Sequence, residues 1–118
     1  MATFLVLIRG DERRWEAMTA SEERALDDGH AAFVARAGGA VLAGHALEPS
    51  SAARIVRAGG DGAPLVTDGP FAELRDVVGG YYLLEAADLD AAAALAAGLP
   101  EARGDHTSIE LRQVVLRP

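Results

Sequence analysis

Runs of apolar residues along this chain predict several β-strands. Every position in the stretch 4–8 is apolar, and the stretch 77–86 is nearly so. Continuous runs of this length indicate strands that are covered on both faces. Shorter runs bounded by Gly, Pro and Ser predict four more strands, at 40–47, 53–58, 64–67 and 106–116.

A helix is predicted between the first two strands. Thr19 and Glu22 have the spacing of a capping box, in which each side chain bonds the backbone N–H of the other residue. From this start to the glycines at 38 and 39, the inward-facing positions at helical spacing are Leu26, His30, Phe33 and Ala37. Because His30 belongs to this stripe, we expect its imidazole to face the apolar interior and to need hydrogen-bond partners there.

The remaining segments are shorter. Asp88 is a predicted cap for a second helix at 89–97, which Gly98 and Pro100 end. The glycine-rich stretch 59–62 predicts a hairpin turn, residues 10–15 a charged loop, and residues 72–76 a single helical turn. Gly79 and Gly80 inside the apolar strand predict a β-bulge or a close approach of another group.

The order of these elements predicts an α+β fold of the ferredoxin-like type, with one domain over residues 1–118. The predicted sheet is antiparallel, with a βαββαβ-type order, two helices on one face and an inserted hairpin. Two helices cover only one face, yet the strands at 4–8 and 77–86 are apolar on both. We therefore expect a homodimer formed sheet against sheet, as in a dimeric α/β barrel. The alternative is that loop side chains fold over the open face.

Composition narrows the function classes. The 118 residues carry a net charge of −7, which argues against a nucleic-acid-binding face. The chain has no cysteine, which excludes disulfides and thiolate sites. No apolar run is long enough to span a membrane, and the apolar N-terminus meets charge at Arg9 without the pattern of a signal peptide. We expect a cytoplasmic protein.

The turn after residue 67 has residue types that packing alone does not explain. Asp68 is followed by Gly69, which tolerates positive φ, and by Pro70, which fixes φ and has no N–H donor. Phe71 supplies an apolar anchor for the turn. This pattern predicts a carboxylate held on a stiff corner at the end of a strand.

The sequence Asp68-Gly69-Pro70-Phe71-Ala72-Glu73, followed by Gly79-Gly80-Tyr81-Tyr82, resembles the DGPF-containing branch of the YCII-related family. The resemblance extends over essentially the whole chain. It implies a dimeric ferredoxin-like barrel, with a site built around a helix histidine and the corner aspartate, which here match His30 and Asp68. The architecture it implies is similar to that of muconolactone isomerase. Some DGPF proteins are associated with extracytoplasmic-function sigma factors, and no reaction is established for the family as a whole.

If His30 and Asp68 meet, the carboxylate can orient the imidazole and raise its basicity, which makes a general base. The same contact can instead be a structural link between helix and corner. The predicted substrate-binding residues around the pair are Gly69, Pro70, Phe71, Gly80, Tyr81 and Arg112. Arg112 has two interpretations, as a carboxylate-binding residue or as an exposed arginine paired with a glutamate.

A metal site is not predicted, because the three histidines lack the close spacing typical of metal ligands. The leading hypothesis is an acid–base enzyme without a cofactor that acts on a small molecule. The alternative is a regulatory or ligand-binding module that meets a small ligand or a sigma factor.

Overall fold

The computed structural model describes residues 1–69 and 76–117. Its strands are β1 (Ala2–Asp11), β2 (Val41–Ala46), β3 (Arg54–Ala58), β4 (Pro64–Asp68), β5 (Asp76–Ala86) and β6 (Ser108–Gln113). Its α-helices are α1 (Glu12–Glu16), α2 (Ala20–Ala37) and α3 (Leu89–Ala96). Short 3₁₀ turns occupy Gly38–Ala40, Ser50–Ala52 and Pro100–Ala102.

Four strands form one antiparallel sheet in the order β2-β5-β1-β6. The two long apolar strands, β1 and β5, are therefore the central pair, as their composition indicates. β3 and β4 form a separate antiparallel hairpin, in which Val56 faces Val66. This arrangement confirms the predicted ferredoxin-like α+β fold with an inserted hairpin.

The core lies between this sheet and the helices. Along β1 the residues Phe4, Val6 and Ile8 are buried, while the positions between them are half-buried. Phe33 is the one fully buried residue of α2 and packs in the cluster around Val6, and Ala92 of α3 packs with Phe4. Both capping-box hydrogen bonds at Thr19 are present, which confirms the predicted start of α2.

Two predicted segments differ from the structure. The stretch 10–15 is not a loop, because α1 begins at Glu12 with the Asp11 side chain accepting from the Arg13 N–H. A five-residue helix is too short to show a periodic pattern, so its sequence does not reveal it. The last strand ends at Gln113 rather than at 116. Of the predicted helical turn at 72–76, only Asp76 is among the described residues, and it begins β5.

The bulge predicted at the paired glycines is confirmed. The register of β1 with β5 passes from Ile8 opposite Gly80 to Arg9 opposite Val78, so Gly79 is the extra residue. A Cβ atom at Gly79 would stand 2.8 Å from Cζ3 of Trp15. The bulge therefore lets the indole ring lie directly against the backbone of β5.

We expect Gly79→Ala to destabilise the protein by about 1–3 kcal/mol, because the added methyl group overlaps the indole ring. Gly60→Ala is the matched control, since a Cβ there meets nothing within 4 Å. Denaturant titration followed by far-UV circular dichroism gives both free energies of unfolding. Equal stability of the two variants would show that Trp15 is not held against the bulge.

The sheet-to-sheet homodimer remains a prediction. On the face of the sheet away from the core, Leu5, Leu7 and Leu83 are half-buried in the single chain. Contact with a second copy would remove these leucines from water.

No helix within 1–69 or 76–117 is long and apolar enough to cross a membrane.

We expect light scattering to give twice the mass of one chain, and we expect Leu83→Arg to give a monomer because it places a charge in the predicted interface. Val115→Arg is the control, since Val115 is 71% exposed and lies beyond the last strand. A monomeric wild-type protein, or a Leu83→Arg variant that stays dimeric, would contradict this mode of assembly.

Candidate functional site

A cavity of about 580 Å³ opens beside α2 at one end of the main sheet. Its walls come from β1, α1, α2, β2 and β5, together with the turn Pro100–Ala102. A volume of this order accommodates a small organic molecule. The apolar and aromatic residues in the lining include Ile8, Trp15, Met18, Leu26 and Tyr82.

Three side chains form a continuous hydrogen-bonded chain in the cavity wall. Nδ1 of His30 lies 2.7 Å from Oη of Tyr82, and Nε2 of His30 lies 2.7 Å from Oε2 of Glu101. The predicted inward orientation of His30 is thus confirmed. Both of its ring nitrogens have partners, as burial of an imidazole requires.

Gly29 places the histidine beside the carboxylate. A Cβ atom at Gly29 would stand 2.7 Å from Cγ of Pro100, so α2 approaches this turn closely only because the side chain is missing. His30, the next residue, then reaches Glu101. The Thr107 hydroxyl donates to the Glu101 carbonyl oxygen over 2.7 Å and fixes the turn from the other side.

Tyr82 is positioned by its neighbours on both sides. It stands opposite Gly44 of β2, and a Cβ at Gly44 would overlap the tyrosine ring. The ring of Phe33 packs against it with centroids 5.1 Å apart. These contacts with Gly44 and Phe33 hold the tyrosine ring so that its hydroxyl group points at His30.

The electrostatics of this hydrogen-bonded chain follow from the burial of Glu101. This residue is only 4% exposed, and its Oε1 has no hydrogen-bond partner among the described residues. When Glu101 is ionised its carboxylate only accepts, so Nε2 of His30 then carries a hydrogen, and Nδ1 of a neutral ring accepts from the Tyr82 hydroxyl. Burial, and then the charge of Glu101, raise the pKa of Tyr82 above its ordinary value, which keeps the phenol protonated.

The rim of the cavity is tied together by α1 and the turn Ser50–Ala52. The Glu12 carboxylate accepts from the Ser50 backbone N–H over 2.8 Å and from the Ser50 hydroxyl over 2.5 Å. Trp15 lies edge-on to His106, with centroids 5.8 Å apart. Among the described residues no group of three His, Cys, Asp or Glu side chains has the arrangement of a metal site.

The structure does not bring His30 and Asp68 together. Asp68 ends β4, its side chain is fully exposed, and an oxygen of its carboxylate lies 3.8 Å from Nε of Arg54 on the neighbouring strand of the hairpin. The physical reason is that Asp68 belongs to the separate two-stranded sheet, whereas both partners of His30 belong to the main sheet and its adjoining turn. In the described chain, Glu101 takes the place expected of Asp68.

Of the other predicted site residues, some line the cavity and some do not. Gly80 and Tyr81 line the cavity. The Tyr81 hydroxyl, however, lies 2.9 Å from Nδ1 of His45 and not near His30. Gly69 packs by Ala53, Arg112 is exposed on β6, and neither lines the cavity. Pro70 and Phe71 lie outside the described residues.

Sequence reasoning missed Glu101, and it did not single out Tyr82 as the partner of His30. A glutamate after a proline carries no signal of burial. The available signal was Gly29, because a glycine in a helix interior is unfavourable by about 1 kcal/mol relative to alanine and often marks a close approach. Its position next to His30 indicates where that approach occurs.

Comparison with known proteins shows two similarities of this chain. Residues 2–115 match the YCII-related domain. The chain is also 33% identical over 106 residues to an uncharacterized protein of Rhizobium meliloti (strain 1021), an alignment that covers 90% of this chain and 77% of the relative.

The raised pKa of Tyr82 can be measured directly. In a Tyr81→Phe background Tyr82 is the one remaining tyrosine, so the ultraviolet absorbance of the phenolate ion reports it alone. We expect its midpoint above the ordinary 10.0, and a lower midpoint after Glu101→Gln, because the substitution removes a negative charge that opposes ionisation. A midpoint unchanged by Glu101→Gln would show that the carboxylate does not act on the phenol.

The raised pKa of Tyr82 also determines how the stability of the protein changes with pH. Because the folded protein holds the proton more tightly than the unfolded chain does, the free energy of unfolding falls as pH rises from about 10 through the folded pKa of Tyr82.

Proposed function

This chain belongs to the YCII-related domain family, and from that premise we propose that its cavity is the site of an acid–base enzyme that acts on a small molecule without a cofactor. One observation carries the proposal: the part-buried Glu101–His30–Tyr82 hydrogen-bonded chain lies in the wall of a cavity of small-molecule size. The histidine is the one that the sequence predicts, and the carboxylate that orients it is Glu101.

The geometry supports proton transfer through Tyr82. As the Tyr82 hydroxyl gives its proton to Nδ1 of His30, the phenol oxygen takes a proton from a carbon next to a substrate carbonyl group. The resulting imidazolium is stabilised by the Glu101 carboxylate at its other nitrogen. Return of a proton to a different carbon of the substrate completes an isomerisation, with no net gain or loss of protons.

The arrangement of the three groups suits this role. Glu101 fixes the tautomer of His30, and the protonated Tyr82 is a hydrogen-bond donor over the neutral pH range. The low dielectric around Glu101 strengthens its interaction with the imidazolium.

The second candidate is a regulatory or ligand-binding module that contacts a protein partner such as a sigma factor. The observation that favours it is the exposed hairpin of β3 and β4. Its apolar side chains Val56, Leu65 and Val66 are 65%, 55% and 59% exposed. Exposed apolar residues grouped on one element are typical of protein contact surfaces. Under this alternative, hairpin substitutions abolish partner binding and cavity substitutions do not.

The enzyme proposal is tested by hydrogen–deuterium exchange into candidate substrates. A panel of small ketones and lactones is incubated with the protein in D₂O, and loss of the α-hydrogen signals is followed by proton NMR. We expect protein-dependent exchange in at least one compound, reduced about 10²-fold or more by Tyr82→Phe and by His30→Gln.

Two carboxylate variants decide which residue orients the base. We expect Glu101→Gln to slow the exchange and Asp68→Asn to leave it unchanged, with Glu85→Gln as the control on an exposed position outside the cavity. An effect of Asp68→Asn equal to that of Glu101→Gln would favour the predicted His30–Asp68 pair. Exchange that Tyr82→Phe and His30→Gln leave unchanged would overturn the proposal.

A further inference from the structure

We propose that the cavity selects an amine, a cationic small molecule with an apolar body, and disfavours carboxylates and phosphates. This inference deepens the proposed function, on which it rests for the location of the site. It concerns binding alone, so it can be tested without a reaction.

The charged residues of the cavity lining are all acidic. The carboxylate side chains among the lining residues are Glu12, Glu16, Asp27, Glu48 and Glu101. None of the arginines in the described part of the chain lines the cavity, although Lys and Arg together occupy 11 positions in the sequence. Walls of one sign focus the field in a cleft, raise the local concentration of cations and lower that of anions.

Glu101 adds a second and independent observation. Its side chain is 5% exposed, it belongs to the cavity wall, and its Oε1 has no hydrogen-bond partner among the described residues. Such a buried carboxylate is unfavourable until a donor or a positive charge compensates it. His30 compensates Oε2 only, so a positive charge in the cavity lowers the cost of this buried carboxylate through space.

The uncharged walls suit the rest of such a ligand. Trp15 and Tyr82 offer aromatic surface, and Met18 and Leu26 offer flexible apolar surface. Aromatic rings beside carboxylates bind ammonium groups through cation–π attraction and charge together. A carboxylate ligand would find no cationic anchor here, because Arg112, the residue predicted to bind one, is exposed on β6 away from the cavity.

The test compares three benzyl-type probes of similar size: benzylammonium, benzyl alcohol and benzoate. Binding is measured by calorimetry and by the fluorescence of Trp15, which is the only tryptophan in the chain. We expect benzylammonium to bind about tenfold more tightly than benzyl alcohol, since charge-assisted hydrogen bonds are about twice as strong as neutral ones. We expect benzoate to bind most weakly.

Matched variants assign the preference to the cavity. We expect Glu101→Gln to reduce benzylammonium binding about tenfold and to leave benzyl alcohol binding unchanged. Glu85→Gln removes the same charge from an exposed position outside the cavity and leaves all three affinities unchanged. If Glu101→Gln does not fold, the exposed lining residue Asp27 provides a second variant, Asp27→Asn, which we expect to weaken benzylammonium selectively, by about twofold.

Benzoate binding as tight as that of benzylammonium would overturn the inference, as would a benzylammonium preference that survives in both Glu101→Gln and Asp27→Asn. The outcome is separable from that of the proposed function. Amine binding without deuterium exchange in any compound would support the inference and count against the enzyme, whereas exchange together with a preference for benzoate would do the reverse.

Discussion

The site depends on one contact, the hydrogen bond between the buried carboxylate of Glu101 and the imidazole of His30. Taking a carboxylate out of water costs several kcal/mol unless it is compensated. The 2.7 Å contact compensates one of its oxygens. This contact requires that His30 face inward on α2 and that α2 lie close to the turn Pro100–Ala102. The capping box at Thr19 sets the start of the helix, and Gly29 permits the close approach.

Three glycines of this small domain allow large rings to pack directly against the backbone. Gly29 faces the ring of Pro100, Gly44 faces the ring of Tyr82, and Gly79 faces the indole of Trp15. Only 5% of the residues are aromatic, yet the tryptophan and both tyrosines line the cavity. The aromatic residues thus shape a ligand-sized space, while much of the core is aliphatic.

The fold could be predicted from sequence because it follows from local patterns. Continuous apolar runs locate β1 and β5, and helical spacing brings His30 to the inner face of α2. The identity of its partner could not be predicted in this way. Glu101 lies 71 residues away along the chain, and only the tertiary position of a short turn brings it to the ring. Asp68 is the more conspicuous carboxylate in the sequence, but it belongs to the hairpin of β3 and β4 and not to the main sheet.

The two tyrosines of β5 show why burial matters more than residue type here. Tyr81 and Tyr82 are adjacent, so strand alternation directs them to opposite faces, and each hydroxyl meets a histidine, His45 or His30. The two pairs have the same chemical groups. Only the His30 pair is part-buried and continues to a carboxylate, whereas the His45 pair is exposed. In water the interaction between such groups is screened, whereas the low dielectric around a desolvated carboxylate strengthens its hydrogen bond to the imidazole. Glu101 therefore distinguishes the pair suited to acid–base chemistry from a surface contact, and its uncompensated oxygen gives the cavity its preference for positive charge.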